Sequence, residues 1–211
     1  MTCLSGCSPL ITGTDFAANE SCFNGGGLYS YYSSPSCSGC VFSGNNLISY
    51  GSGGGGAALA FSDGAAFTGC TFAENGTAVT IVGAGLFVAS SAVTVTDCSF
   101  IGNTAGSSAG AHFTEGSIGT VSGCSFVGNV TTWGPAAAGI NCVFSSNPTV
   151  TNCTFSDNEG YHVYCQEASP TIEYSILAFA LLVGPVRCVE GTETPHIHHC
   201  FVYGNERGYR G

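Results

Sequence analysis

Single apolar residues alternate with threonine and serine in a segment that recurs along the chain. It reads "TVTDCSFIGN" from Thr94 to Asn103 and "TVTNCTFSDN" from Thr149 to Asn158. Successive side chains of a strand point to opposite sides, so this alternation predicts a strand with one buried face. Aligned copies of the segment begin at Pro9, Pro35, Ala65, Val93, Gly119, Pro148, Pro170 and Pro195.

Four positions of the copies keep their residue type. The third is always apolar, the sixth is usually cysteine, the eighth usually phenylalanine and the eleventh usually asparagine. The third position holds Ile11, Cys37, Phe67, Val95, Val121, Val150, Ile172 and Ile197. The sixth holds Cys40, Cys70, Cys98, Cys124, Cys153 and Cys200, with Thr14 and Ser175 as exceptions. The phenylalanines are Phe16, Phe42, Phe72, Phe100, Phe126 and Phe155. The asparagines are Asn19, Asn45, Asn75, Asn103, Asn129, Asn158 and Asn205, and the seventh copy has Ala180 instead.

These patterns together predict a solenoid. A second strand precedes each copy and often opens with glycine, as in "GGAALAF" and "GAGLFVA", and residues such as Gly69 and Asn152 predict a bend inside the copy. One unit cannot bury its apolar face alone, so we predict coils of two or three strands, each strand pairing in parallel with its equivalent one coil later. The expected fold is an all-β parallel β-helix of about eight coils. We expect residues 1–211 to form a single domain within a longer chain, with an asparagine ladder and a cysteine ladder.

The repeats also resemble known families. The F-x-x-N spacing with "GGGL", "GGAAL" and "GAGL" resembles the repeats of chlamydial polymorphic outer-membrane protein passengers. The fuller form, with "SPTI" and "PTVTNCTFSDN", resembles right-handed parallel β-helix repeat proteins secreted by many bacteria, over most of the chain from Pro9 to Asn205. The resemblance implies a right-handed coil and an extracellular or cell-surface location. It leaves the function open, because such repeats occur in adhesins, passengers and carbohydrate-active enzymes.

Charge and hydropathy narrow the range of partners. The chain has no lysine, three arginines and thirteen acidic residues, for a net charge of −10. Nucleic-acid binding depends on clustered basic residues, so we expect no nucleic-acid partner. No apolar run approaches the roughly 20 residues of a spanning helix, so we expect no membrane insertion. The opening "MTCLSGCSPLIT" lacks the features of a signal peptide, and we expect any signal to lie upstream.

The thirteen cysteines are expected to be mostly buried free thiols. Side chains of one column point the same way, and small thiols pack well in a core. Cys142, Cys165 and Cys188 are interpreted as a second, shorter column. Cys3, Cys7 and Cys22 lie outside both predicted columns and are the better candidates for a disulfide, whose connectivity the sequence does not give.

Two constellations near the last copies could carry chemistry. In "PHIHHC", His196 and His198 share one face of a strand, and Glu173 is stacked one coil earlier, which makes these three residues candidate zinc ligands. The same Glu173 and His198, with Arg187, are the candidate catalytic residues of a polysaccharide lyase or glycoside hydrolase. A plain exposed coil remains the alternative. No cofactor is indicated, although calcium or zinc is possible.

Outward hydroxyls form a further candidate, a ligand face made by Thr94, Thr96, Thr120, Ser122, Thr149 and Thr151. Such arrays resemble the ice-binding faces of some antifreeze proteins, yet threonine is favoured on any exposed strand. The main functional prediction is therefore a noncatalytic extracellular or cell-surface module, a rigid spacer or adhesive face. Its candidate partners are a polysaccharide, a surface protein or further copies joined end to end. A carbohydrate-active enzyme and an ice-binding protein remain alternatives.

Overall fold

The chain folds as a parallel β-solenoid. The structure, a computed structural model, describes residues 1–48, 53–77, 82–133, 136–189 and 194–205. These residues form 29 strands and no helix, and their strands pair in parallel within four sheets. Accordingly, no helix among them is long and apolar enough to cross a membrane.

Each coil contributes one strand to each long sheet. The first sheet contains Thr2–Leu4, Leu28–Tyr31, Ala57–Ala60, Leu86–Ala89, Ala111–Thr114, Ala137–Val143, Tyr161–Gln166 and Val186–Val189. The second contains Leu10–Thr12, Ser36–Ser38, Ala65–Thr68, Ala92–Thr96, Ile118–Ser122, Thr149–Thr151, Thr171–Glu173 and His196–His198. The third contains Asp15–Ala17, Val41–Ser43, Thr71–Ala73, Ser99–Ile101, Ser125–Val127, Thr154–Ser156, Ile176–Ala178 and Phe201–Tyr203. A shorter fourth sheet contains Glu20–Ser21, Asn46–Leu47, Gly76–Thr77, Thr104–Ala105 and Val130–Thr131.

The repeat copies stack in register, as predicted. Val95 pairs with Val121, and Val121 with Val150, so equivalent residues of successive coils form columns across the sheets. The three long sheets have eight strands each, which agrees with the eight copies. The two-residue strands of the fourth sheet, just after the asparagine position, were not predicted, because so short a pairing leaves no periodic signal.

The phenylalanine column is the centre of the core. From Phe16 to Phe155, neighbouring rings stack with centroids 4.5 to 4.8 Å apart and planes within 6° of parallel. This spacing equals the distance between strands of a sheet, so each ring lies on the next without distorting the backbone. A glycine column in the first sheet leaves room for the rings: a Cβ at Gly85 would lie 2.9 Å from Cδ1 of Phe100.

The predicted asparagine ladder forms at the corner after the third sheet. Nδ2 of Asn75 donates to Oδ1 of Asn103 at 3.0 Å and to the backbone oxygen of Phe42 at 2.8 Å. The backbone N–H of Asn75 donates to the same Oδ1. This pattern runs from Asn45 to Asn129, so buried polar groups of the corner are paired within the protein.

The ladder is interrupted in a coil that departs from the repeat at three positions, and it resumes with Asn205, which bonds to Ala180 and Leu177 of that coil. Leu177 replaces the phenylalanine, Ala180 replaces the asparagine, and His162 stands in the glycine column next to Gly139. The imidazole of His162 is fully buried and accepts a hydrogen bond at Nδ1 from Nδ2 of Asn158, at 3.0 Å. It therefore supplies the acceptor that the missing asparagine would have provided.

The cysteine column has a role that the sequence did not indicate. The backbone N–H of Cys98 donates to Sγ of Cys124 at 3.4 Å, and the N–H of Cys153 donates to Oγ of Ser175 at 3.1 Å. Side chains at this position thus accept a hydrogen bond from the preceding coil at the bend. Serine can replace cysteine because its hydroxyl makes the same bond.

A serine column was also missed at the corner between the first and second sheets. The N–H of Ser62 donates to Oγ of Ser91, and the N–H of Ser91 donates to Oγ of Ser117. Ser33 and Ser146 extend the series at its two ends. Each corner of the solenoid therefore pairs its buried backbone groups through small polar side chains.

Candidate functional site

Three of the residues predicted to carry chemistry, Glu173, His196 and His198, lie on the last two strands of the second sheet. Glu173 and His198 are paired in register, and Nε2 of His198 lies 3.5 Å from Oε2 of Glu173. The side chain of His198 is 45% exposed and that of Glu173 is 25% exposed. The pair therefore lies at the protein surface, where water weakens its electrostatic interaction.

His198 has a second partner that the sequence analysis did not identify. Its Nδ1 lies 3.0 Å from Nδ1 of His199, and the two rings are nearly perpendicular, with 80° between their planes. His199 adopts a left-handed backbone conformation with φ of 54°, at the bend position of the repeat. Its ring stacks on Tyr174, the bend residue of the preceding coil, with centroids 5.0 Å apart.

His196 was predicted to share a metal with His198 and Glu173. The structure places His196 opposite Thr171, exposed on the same face. The described ranges contain no group of three or more His, Cys, Asp or Glu side chains arranged to hold a metal ion. The imidazole that contacts His198 is thus that of His199. The sequence indicates this relationship only through two adjacent histidines at the end of the strand.

Arg187 lies apart from this pair. It belongs to the first sheet, where Nη1 donates to the phenolic oxygen of Tyr161 at 3.1 Å and the guanidinium lies over the Tyr161 ring. Within the described residues no hydrogen bond or ion pair joins Arg187 to Glu173 or His198. The three residues proposed for catalysis therefore form one pair and one separate side chain.

The predicted hydroxyl face lies on the second sheet in two columns. Thr94, Thr120 and Thr149 pair in one column, and Thr96, Ser122 and Thr151 pair in the next. Thr12, Ser38 and Thr68 extend the second of these columns toward the amino end. Six successive coils thus carry a hydroxyl at this position, before Glu173 and His198 continue the column.

The amino-acid sequence matches the model of a known family over nearly the whole chain. A family model described as "Right handed beta helix region" matches residues 2–134 and 106–209. The chain belongs to this family. No curated protein matches it. The family match supports the predicted right-handed parallel β-helix, and it does not distinguish the chlamydial passengers from other β-helix proteins.

The cysteines of this β-helix are free thiols and most are buried, as predicted, whereas the predicted placement of Cys3 outside both columns is wrong. Cys3 is buried and pairs in register with Ser30 of the first sheet, so it begins the column that ends in Cys142, Cys165 and Cys188. The repeat segment does not include this strand, which is why the sequence placed Cys3 outside. Cys188 is exposed and Cys200 is half-buried, because both belong to the last described coil. Cys7 and Cys22 are exposed and unbridged.

Burial and hydrogen bonds between stacked thiols determine the pKa values of the inner cysteines. Burial is the cause of the raised pKa of the Cys142 thiol. A hydrogen bond between Cys165 and Cys188, together with burial, raises the pKa of Cys165, and the same bond lowers the pKa of Cys188 to about 7. Cys188 is therefore the cysteine of this column best suited to react with solutes.

One buried polar pair lies on the outer side of the first sheet. His112 is stacked on Phe87, and its Nδ1 accepts a hydrogen bond at 3.1 Å from Nδ2 of Asn141. Burial lowers the pKa of His112 to about 3, so the ring is neutral at physiological pH. Oδ1 of Asn141 is buried and has no hydrogen-bond partner in the described part of the chain. The pair contributes a rigid polar contact between two coils.

Proposed function

We propose that this chain is a noncatalytic structural β-helix module that acts as a rigid spacer with an adhesive outer face. The observation that carries the proposal is the continuous ladder of Phe and Asn side chains, which links successive coils through a shared core. Stacked rings and buried amides resist sliding of one coil past another. A long, stiff rod is the mechanical property that a spacer needs.

The arrangement of charged side chains argues against polysaccharide cleavage. Hydrolases of sugars use a pair of carboxyl groups on either side of the scissile bond. Among the described residues, the carboxylate in the candidate site is that of Glu173, and its partner is the imidazole of His198. A lyase needs a basic group beside the sugar acid, and the guanidinium of Arg187 is held by Tyr161 on another sheet. Both observations favour binding without chemistry.

We propose an extracellular or cell-surface location for the module. The absence of lysine and the net charge of −10 make the surface repel nucleic acids and anionic lipids. The remaining candidate partners are a polysaccharide and a surface protein.

End-to-end association is part of the same proposal. Within the described strands, Phe201–Tyr203 forms the edge of the third sheet, with Phe201 61% exposed and Tyr203 46% exposed. An edge strand offers unpaired backbone groups to a further strand. Sedimentation velocity over a hundredfold range of concentration tests this: we expect larger species to form, and a strict monomer throughout would contradict it.

The adhesive role is tested with a panel of neutral and acidic polysaccharides, with and without calcium or zinc. Retention on the polymer and release of new reducing ends are measured together. We expect retention without new ends. New ends that disappear in Glu173→Gln but persist in the matched surface variant Glu167→Gln would overturn the proposal and make the chain an enzyme.

Ice binding is a second candidate, supported by the hydroxyl column that runs through six successive coils. The test measures the gap between the melting and freezing points of small ice crystals. If the second sheet binds ice, Thr96→Tyr in this column will abolish the gap, whereas Thr154→Tyr on the third sheet will retain it. No gap in the unaltered protein would remove this candidate.

A further inference from the structure

We propose that His198 and His199 together bind a divalent transition metal ion through their Nδ1 atoms, with Glu173 as a positioning residue. The two nitrogens already lie 3.0 Å apart. Two imidazole nitrogens bound to one tetrahedral zinc ion, each at about 2.0–2.1 Å, stand about 3.3 Å apart. The separation of the two nitrogens is therefore close to that of a zinc-bound pair, and a rotation of the rings that turns both lone pairs toward the ion would complete this part of a coordination sphere.

Both imidazoles are oriented by the coil beneath them. Oε2 of Glu173 lies 3.5 Å from Nε2 of His198. The next residue, Tyr174, stacks on the ring of His199 with only 3° between the planes. A carboxylate on the far nitrogen of a histidine is the usual partner of a metal-binding imidazole, because it fixes the ring and increases its basicity. The preceding coil thus orients two ligands toward one point.

The protonation states are consistent with binding. The Glu173 carboxylate, whose Oε2 lies 3.5 Å from Nε2 of His198, favours the tautomer of that ring with its proton on Nε2, which leaves the Nδ1 lone pair available. Without metal, the Nδ1–H of His199 donates to this lone pair. On binding, the metal takes the lone pair of His198, and the proton of His199 moves through solvent from its Nδ1 to its Nε2. Two neutral imidazoles then bind the ion with no net loss of protons.

The ligand type selects the class of metal. Imidazole nitrogen suits zinc, copper and nickel, whereas calcium and magnesium require oxygen ligands. The thiol of Cys200 is turned toward the backbone oxygens of Ile172 and His198, away from the imidazole pair. Since the described residues offer no group of three ligands, water would fill the remaining positions.

Titration calorimetry with Zn²⁺ tests the proposal, after the exposed thiols have been alkylated with iodoacetamide. We expect one ion per chain and a dissociation constant at least tenfold higher in His198→Gln and in His199→Gln. His196→Gln is the matched control, because His196 is exposed on the same strand but lies opposite Thr171, and its affinity should be unchanged. Equal binding by all four proteins, or an equal loss in His196→Gln, would overturn the proposal.

Two further measurements separate this site from other causes. Co²⁺ absorption spectra should lack the intense near-ultraviolet band of thiolate ligation, and its presence would assign the metal to cysteines instead. Loss of the orienting carboxylate in Glu173→Ala should weaken binding by about 10–100-fold. Glu173→Gln, whose amide oxygen can still face Nε2 of His198, should recover part of this loss; equal losses in the two variants would contradict a positioning role.

Discussion

Asn158 and His162 are joined by a hydrogen bond of 3.0 Å in which the amide nitrogen donates to Nδ1 of the imidazole. Nε2 of the same ring donates to the backbone oxygen of Ala178 at 2.9 Å. An imidazole that accepts at one nitrogen and donates at the other is neutral. His162 thus bridges the break in the asparagine ladder by pairing the amide of Asn158 and a carbonyl of its own coil.

Removing this ring should destabilise the protein. His162→Ala removes the acceptor of one Asn158 N–H and the donor to the Ala178 oxygen and opens a cavity, so we expect the free energy of unfolding to fall by about 2–5 kcal/mol. Urea unfolding followed by circular dichroism measures the change. His196→Ala, at an exposed position, should change stability by less than about 0.5 kcal/mol.

Restoring the repeat sequence in this coil should rescue the loss. The triple variant His162→Gly, Leu177→Phe and Ala180→Asn rebuilds the combination found in the preceding coil, and its stability should approach that of the unaltered protein. A triple variant no more stable than His162→Ala would show that the ring does not act as a substitute for the asparagine.

Acid should destabilise the protein through its two buried imidazoles. Burial lowers the pKa of His112 to about 3 and that of His162 to about 4, whereas histidine in an unfolded chain titrates near about 6.5. Between these values the unfolded chain binds more protons. The stabilisation is therefore complete above about pH 6.5 and decreases as the pH falls, by up to about 1.4 kcal/mol per pH unit for each ring.

Urea unfolding between pH 7.5 and 5 tests this pH dependence above the main titration range of the carboxylates. The slope in His162→Gln should be about half that of the unaltered protein, because only His112 then remains. A free energy of unfolding that is constant over this range would contradict the assignment of both rings as neutral in the folded state.

Cysteine and serine should be interchangeable at the bend, and alanine should not. Cys124→Ala leaves the N–H of Cys98 without its acceptor, which should cost about 1–3 kcal/mol. Cys124→Ser keeps an acceptor in the geometry of Ser175, so its stability should lie clearly above that of the alanine variant. Equal losses in the two variants would mean that the sulfur acts by packing alone.

Thiol reactivity should follow exposure and pKa. Under native conditions Cys7, Cys22 and Cys188 should react with an alkylating reagent, and the buried thiols only after unfolding. Cys188, whose pKa is lowered to about 7 by Cys165, should keep its reactivity to lower pH than Cys22. Mass spectrometry of peptides after short pulses at pH 6 to 8 measures each rate, and Cys165→Ala should remove the difference.

The sequence predicts those parts of the fold that repeat. Strand, bend, core and asparagine positions recur, so aligning the copies with one another is enough to place Val121 over Val95 and Asn129 over Asn103. The register follows because a shift by one residue would turn every apolar side chain outward. Cys3 could not be placed this way, since its strand precedes the first copy and carries no repeat signal.

The sequence did not predict the contacts made where a coil departs from the repeat. The role of His162 depends on two other substitutions in the same coil, and alignment of the copies reveals Leu177 and Ala180 but not the ring that compensates for them. The proximity of His198 and His199 depends on the left-handed backbone at the bend, which turns the second ring back toward the first. Such relationships arise from three-dimensional geometry at single positions, where periodicity gives no information.

The in-register columns also determine how such a protein can change its length. Because each coil presents the same side chains to the coil above and below, a whole coil can be duplicated or deleted and the new neighbours still match, with a change in rod length of about 4.8 Å. The coil of His162 is different, since its ring requires an asparagine in the coil before it. The number of coils that carry both Phe and Asn can therefore vary, whereas the His162 coil must directly follow a coil that carries this asparagine.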